Sequence, residues 1–163
     1  MVGFLTTVAD SPLSDSRATT PEVGVNYARY SYVKWGMLPL RIAVGLVFLM
    51  HGGQKFFVFG LGGTADIMAK LGIPLPALAA AVVITVELLG GLAILLGVFT
   101  RLAGALLAFE MVVAILVARV QGGFFAPYGY EFELTLLAAC LTFASTGPGR
   151  ISLEELWRRS SRR

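Results

Sequence analysis

Long apolar stretches divide this chain into four segments that are each suited to crossing a lipid bilayer. Ionisable side chains are sparse within them: residues 71–100 contain only Glu87, and residues 134–149 contain none. A hydrocarbon core of about 30 Å needs roughly 20 apolar residues in a helix. The short turn between the second and third stretches favours an antiparallel hairpin. The pattern therefore predicts an all-α membrane protein, an antiparallel bundle of four transmembrane helices near residues 37–58, 77–99, 102–119 and 131–147.

The composition supports a membrane protein and excludes several other classes. Hydrophobic residues make up 56% of the chain and charged residues 14%, with a mean hydropathy of +0.78. An average soluble domain has about 25% charged residues, so this chain has too little polar surface to cover a soluble core. Cys140 is the single cysteine, which excludes an internal disulfide, a redox-active cysteine pair and a cysteine-rich zinc site.

Two polar segments flank the membrane domain, which we place at residues 36–149. Residues 1–35 form an extension whose polar stretch, residues 10–22, is predicted to be mobile. The extension ends in aromatic side chains that are expected at the level of the lipid headgroups: Tyr27, Tyr30, Tyr32 and Trp35. Residues 150–163 form a basic tail, in which Ser152 and Glu155 predict a helix N-cap. That helix is expected to be short and amphipathic and to lie on the membrane surface.

The distribution of basic residues predicts the orientation of the bundle. With the N-terminus inside, the outer side holds only Lys55, Lys70 and Arg119, and most other basic residues lie inside. Because Lys and Arg are enriched in cytoplasmic segments, we expect both termini in the cytoplasm. The net charge of +3 then reflects contacts with lipid headgroups, and no nucleic-acid partner is expected.

Three basic side chains share one face of the first predicted helix. At 100° per residue, Arg41, His51 and Lys55 fall within a quarter of the circumference. Charged groups are costly in a bilayer, so they face the interior of a bundle and pair there. The acids available to pair with them are Glu87, Glu110, Glu131 and Glu133.

These residues predict a candidate binding site and a separate structural network. Glu131 and Glu133 lie about 200° apart on a helix, so only one can face inward, and Glu131 is favoured for that position. The candidate site then consists of His51, Lys55, Glu87 and Glu131, and the structural ion-pair network of Arg41, Glu110 and Glu133. Outer aromatic side chains add a flat apolar mouth suited to an aromatic or quinone headgroup, whose carbonyls need donors such as His and Lys.

Two alternatives to a quinone site remain open for the same residues. The pairs could serve only to set helix register, a common role of polar contacts between membrane helices. The single histidine could ligate a metal, but without a second His we expect no metal site.

A series of short motifs follows in order along the chain: Arg41 with His51-Gly52-x-x-Lys55, Pro74-x-Pro76, Glu87-x-x-Gly90-Gly91, Gly97-x-x-Thr100-Arg101, Glu131-x-Glu133 and Gly147-Pro148-Gly149-x-x-Ser152-Leu153. Over residues 36–157 this series resembles the DoxX family of small four-helix membrane proteins. Glu110 is not a position associated with that family. Members resemble subunits of membrane thiosulfate:quinone oxidoreductases, and others are linked to quinone or thiol redox stress.

The resemblance implies an integral-membrane component of a quinone-linked redox system in a bacterial or archaeal cytoplasmic membrane. The sequence contains no haem-ligand pair or flavin fingerprint, so we expect no intrinsic cofactor and no self-sufficient enzyme. A diffusible quinone, or a cofactor held by a partner, would carry the electrons.

One alternative is a non-catalytic accessory subunit of a larger membrane complex, partnered by other membrane subunits or by copies of itself. Another is a transporter that uses Glu87 and Glu110 as a proton path.

Overall fold

The computed structural model describes the backbone of residues 27–161. The polar stretch at residues 10–22 lies outside the described residues. The headgroup placement expected for the aromatic side chains at positions 27–35 also lies outside what is described.

The described part of the chain is helical throughout, with turns between helices and no strand. The helices are α1 (Tyr27–Gly53), α2 (Gly60–Lys70), α3 (Pro76–Leu96), α4 (Thr100–Ala114), α5 (Glu131–Thr146) and α6 (Leu153–Ser160). Two π-helical segments continue helices without a break: Gln54–Phe59 joins α1 to α2, and Ile115–Arg119 extends α4. A single 3₁₀ turn, Val120–Gly122, follows the second of them.

Three helical stretches are long and apolar enough to cross a membrane: Gly36–Lys70, Pro76–Leu96 and Thr100–Gly122. They confirm the predicted all-helical membrane protein for the first three spans. The first runs past its predicted end at residue 58, because the π-helical segment carries the chain directly into α2. Helix α5 coincides with the fourth predicted span but has 16 residues, about 24 Å at 1.5 Å per residue. That is shorter than a hydrocarbon core of about 30 Å, so a fourth crossing stays a prediction.

The hairpin between α3 and α4 follows from residues that start and stop helices. Pro76 occupies the first turn of α3, where its missing N–H leaves no hydrogen bond unmade. Gly97 ends α3 with φ +70°, and its N–H donates to the carbonyl of Ala93 at 2.9 Å. Helix α4 begins only three residues later, at Thr100, so the chain reverses at once and the two helices pack side by side.

Two helix pairs form most of the packing: α1 lies against α3, and α4 lies against α5. Small residues permit the close approach, as expected for membrane helices. A Cβ on Gly91 would lie 2.9 Å from the backbone nitrogen of Leu49, and one on Gly45 would lie 3.0 Å from the carbonyl oxygen of Gly91. The buried core between the pairs comprises Val44, Phe48, Ile94, Ala103, Leu107, Ala108, Met111, Leu136, Cys140 and Phe143.

The contact between α4 and α5 predicts that Gly104→Ala destabilises the protein. A Cβ at Gly104 would lie 2.8 Å from the backbone nitrogen of Ala144 and 2.8 Å from the carbonyl oxygen of Cys140. The two helices would have to separate, a strain that costs about 1–3 kcal/mol. The measurement is the melting temperature in detergent, followed by circular dichroism. Gly62→Ala is the matched control, because nothing lies within 4 Å of its added Cβ; equal melting of the two variants would contradict the prediction.

Helix α6 begins directly after Ser152, the residue that the sequence predicts as its N-cap. The Ser152 hydroxyl accepts a hydrogen bond from the N–H of Glu155 at 3.2 Å. The N–H of Glu154 donates to the carbonyl of Gly97 at 3.3 Å. These contacts attach the start of α6 to the end of the bundle at which α3 ends.

Candidate functional site

A cavity of about 460 Å³ lies between helices α1 to α5. We call it the central cavity. Much of its wall is apolar, with Phe48, Met111, Phe132 and Leu136 among the lining residues. Its ionisable lining residues are His51, Lys55, Glu87, Glu110, Arg119 and Glu133. Small-molecule sites of roughly 300–1,000 Å³ combine mostly apolar walls with a few polar groups, and the central cavity has that size and character.

The structure brings Lys55, in the π-helical segment that follows α1, together with Glu87 of α3. Nζ of Lys55 donates to both carboxylate oxygens of Glu87, at 2.7 and 2.6 Å. The pair is unevenly buried, since the Lys55 side chain is 22% exposed and that of Glu87 is 4% exposed. Gly52 makes the approach possible, because a Cβ there would lie 3.0 Å from the Cβ of Glu87. The result is a bidentate ion pair in the wall of the cavity.

Glu110 lies beside this pair. Its carboxyl group interacts with that of Glu87, and both side chains line the cavity. Oε2 of Glu110 is buried, and the Glu110 carboxyl is in hydrogen-bond contact with the carboxyl of Glu87. Glu110 is expected from the sequence in the separate structural network, and the structure places it in the wall of the central cavity.

A second ion pair lies where α4 and α5 meet the cavity. Nε of Arg119 donates to Oε1 of Glu133 at 2.8 Å, and Nη1 donates to the carbonyl of Pro127 at 3.4 Å. Glu133 is buried, and its Oε2 has no partner in the part of the chain that the structure describes. Arg119 and Lys55 each lie in a π-helical segment, and such segments often occur at functional sites.

Comparison with known sequences supports the resemblance of the motifs. The sequence profile of the DoxX family matches residues 36–120, just over half of the chain. This chain belongs to the DoxX family. The matched region of this DoxX chain contains every ionisable residue of the central cavity except Glu133. It is an integral membrane protein.

Bacterial relatives of this DoxX chain include inner-membrane proteins. "Putative oxidoreductase CatD" of Bacillus subtilis is 33% identical, over 73% of this chain and 84% of its own length. "Inner membrane protein YphA" of Escherichia coli is 35% identical, over 72% of this chain and 87% of its own. An uncharacterised membrane protein of Mycobacterium tuberculosis is 34% identical, over 76% and 80% respectively. No solved structure matches the chain.

Glu131 of the DoxX chain does not line the central cavity. It is the first residue of α5, and its Oε1 accepts a hydrogen bond from the N–H of Ala126 at 2.8 Å. Its carboxylate therefore binds the backbone of the loop before α5, and the acid that faces the cavity is Glu133. The choice of Glu131 over Glu133 as the inward acid is corrected, since the packing of α5 turns the second of them inward.

His51 lines the central cavity and is exposed. The centroid of its ring lies 6.0 Å from that of Phe132. Among the candidate residues, His51, Lys55 and Glu87 are thus brought to one cavity, and Glu131 is left out. In residues 36–157, no group of three or more His, Cys, Asp or Glu side chains is placed to hold a metal ion.

Arg41 lies outside the cavity, about 21 Å along the helix from Lys55, and is only 2% exposed. Nε donates to the carbonyl of Ile94 at 2.8 Å and Nη2 to that of Leu95 at 2.9 Å. Nη1 donates to the carbonyls of Pro148, at 3.1 Å, and Ile151.

The sequence predicts an ion pair between Arg41 and an acid. Among the described residues, the acceptors of the Arg41 guanidinium are instead all backbone carbonyls. Carbonyl oxygens at the C-terminal end of α3 carry the negative end of the helix dipole, and they stand in for a carboxylate. Arg41 therefore joins α1, the end of α3 and the α5–α6 loop.

Proposed function

We propose that this DoxX protein is an integral-membrane component of a quinone-linked redox system, and that the central cavity binds the quinone headgroup. The observation that supports the proposal best is the cavity itself, which combines apolar walls with the Lys55–Glu87 ion pair between membrane helices. The oxidoreductase name of the Bacillus subtilis relative agrees with redox work.

The residues in the cavity wall fit a quinone ring. The ring is flat and apolar, and its two carbonyl oxygens accept hydrogen bonds. The ammonium group of Lys55 has three N–H donors, of which two point at Glu87, so a third is left for a carbonyl. His51 can donate to the ring from beside Phe132. When bound, a quinone supplies reversible uptake of electrons and protons, while the residues of this chain bind and orient the ring.

Titration of a short-tailed quinone into the protein in lipid nanodiscs tests the proposal. We expect Lys55→Met to weaken binding at least about tenfold, because a single well-placed buried hydrogen bond contributes roughly 1.4 kcal/mol or more. Glu87→Gln should also weaken binding, since it releases Lys55 from its position. Lys70→Met is the matched control, because Lys70 is exposed and does not line the cavity. Wild-type affinity in both cavity variants would overturn the site.

The second candidate is a non-catalytic subunit of a larger membrane complex. The short α5, with 16 residues, favours it, because a helix shorter than the bilayer is accommodated by local thinning or by a neighbouring protein. Native mass measurement after mild extraction tests it. A monomer that is unaffected by deletion of residues 1–30 would exclude this candidate.

We also propose that α5 is a fourth crossing and that α6 lies on the cytoplasmic surface. Leu153, Leu156 and Trp157 are exposed on α6, and their spacing places them on one face of the helix. A polar surface helix with such a face lies in the membrane interface, and the excess of inner basic residues agrees with cytoplasmic termini. A cysteine at Ser161 should react with an impermeant reagent only in inside-out vesicles; reaction from the outside would reverse the orientation.

A further inference from the structure

The hairpin of α3 and α4 places Glu87 and Glu110 at the same level between the two helices. In this antiparallel pair a Cβ on Gly90 would lie 3.1 Å from the Leu107 side chain, so these two positions face each other. Glu87 lies three residues before Gly90 and Glu110 three residues after Leu107, which is about one helical turn in the same direction along the bundle. The register of the hairpin therefore brings the two carboxyl groups into their hydrogen-bond contact.

A hydrogen bond between two carboxyl groups needs a proton on one of them. An ionised carboxylate only accepts hydrogen bonds, whereas a protonated carboxyl group also has an O–H donor. Nζ of Lys55 donates to both oxygens of Glu87, at 2.7 and 2.6 Å, as expected when Glu87 is the ionised member. In the part of the chain that the structure describes, no Lys or Arg forms an ion pair with Glu110. The proton of the contact therefore belongs to Glu110.

The charges around Glu110 favour the same assignment. Lys55 interacts with it from the π-helical segment, Glu87 from α3 and the thiol of Cys140 from α5. The charges of Lys55 and Glu87 cancel, so an ionised Glu110 would add an unpaired anion between membrane helices. Such a charge is unfavourable in a bilayer and beside another carboxylate. The remaining ionisable residues of the cavity wall are His51 and the paired Arg119 and Glu133.

We propose that Glu110 carries a proton and donates a hydrogen bond to Glu87, and that this bond holds the Glu87 carboxylate against Lys55. Glu110 is then a positioning residue of the central cavity and gives the cavity a dependence on pH. The consequence for ligand binding rests on the quinone-linked function proposed above. A deprotonated Glu110 would attract the ammonium group of Lys55 and compete for it with a quinone carbonyl, so we expect quinone binding to weaken as the pH rises.

Infrared spectroscopy tests the protonation of Glu110 without any ligand. In a detergent without ester groups at neutral pH, we expect the wild type to show the carbonyl band of a protonated carboxyl group, and this band to shift in heavy water. Glu110→Gln should lack the band. Glu131→Gln is the matched control and should keep it, because Glu131 binds the backbone of the loop before α5. A wild type without this band, or a band that persists in Glu110→Gln, would overturn the proposal.

Titration of a short-tailed quinone into nanodiscs at several pH values tests the positioning role. Glu110→Leu removes the donor to Glu87 and should weaken binding about tenfold at neutral pH. Glu110→Gln keeps an N–H donor on a side chain of nearly the same size and should bind as the wild type does. The wild type should lose affinity as the pH rises, and Glu110→Gln should not. Because His51 and Lys55 are present in both proteins, the difference between them reports Glu110.

The outcomes separate this inference from the proposed function. Wild-type affinity in Glu110→Leu, or an equal dependence on pH in the wild type and Glu110→Gln, would overturn the positioning role of Glu110. A wild type that binds no quinone would instead refute the proposed function, and the infrared band would still decide whether Glu110 carries a proton.

Discussion

Arg41→Leu is expected to destabilise the protein by more than about 3 kcal/mol, a large share of the stability of a typical domain. The guanidinium is buried and donates to the carbonyls of Ile94, Leu95, Pro148 and Ile151. Leucine would remove all of these hydrogen bonds, and hydrogen bonds to a charged group contribute about 1.5–3 kcal/mol each. The end of α3 and the α5–α6 loop would lose the side chain that connects them.

Thiol labelling of Cys140 during heating measures this loss. Cys140 is the single cysteine and is fully buried between α4 and α5, so a thiol-reactive fluorophore reports its exposure on unfolding. Arg150→Leu is the matched control, because Arg150 is exposed in the same loop. Arg41→Lys should fall between the two, since a lysine keeps the charge and loses the planar set of donors. If Cys140 became labelled at the same temperature in Arg41→Leu as in the wild type, the role assigned to Arg41 would be contradicted.

The second large effect is expected from breaking the Lys55–Glu87 pair. Lys55→Met leaves a 4% exposed carboxylate without its cation, and removing one partner of a buried pair costs about 3–5 kcal/mol. Glu87→Met should cost less, because the Lys55 side chain is 22% exposed and its ammonium can stay close to water. The double variant should recover much of the loss, since an apolar pair replaces the charges.

A double-mutant cycle, followed by the same thiol labelling, measures the coupling between the two residues. If the stability losses of the two single variants simply add in the double variant, the interaction between Lys55 and Glu87 contributes nothing to stability. The double variant also separates stability from function. It should fold nearly as well as the wild type and still bind quinone poorly, because the donor of Lys55 is gone.

Most of the fold could be predicted from the lengths of the apolar stretches. Backbone groups inside a bilayer must find hydrogen-bond partners within the protein, and a continuous apolar stretch of about 20 residues satisfies them as a helix. The ends of α3 were readable from Pro76 and Gly97, whose backbone preferences act locally. The pairing of Lys55 with Glu87 could also be predicted from the sequence, because charged residues on a membrane helix face inward towards an opposite charge.

The remaining features of the site depend on how the helices rotate and approach each other. The choice between Glu131 and Glu133 is made by the packing of α5, which turns Glu133 towards the cavity and leaves Glu131 on the preceding loop. The sequence places Arg119 on the outer side of the membrane and gives it no partner. Its contact with Glu133 is made from a π-helical segment that no residue pattern predicts. One feature of the sequence does point to this contact: Arg119 ends the third predicted span, and Glu131 and Glu133 begin the fourth.

The sequence alone thus determined that the chain is helical, enters the membrane, belongs with the DoxX proteins and carries charges that must be paired. These properties follow from composition and from residues that are near each other in the chain. The tertiary structure decided which acid at the start of α5 lines the central cavity, and that Arg41 binds carbonyls instead of a carboxylate. Every residue has a carbonyl, so only the packing of α1 against the end of α3 and the α5–α6 loop could select the ones that Arg41 binds.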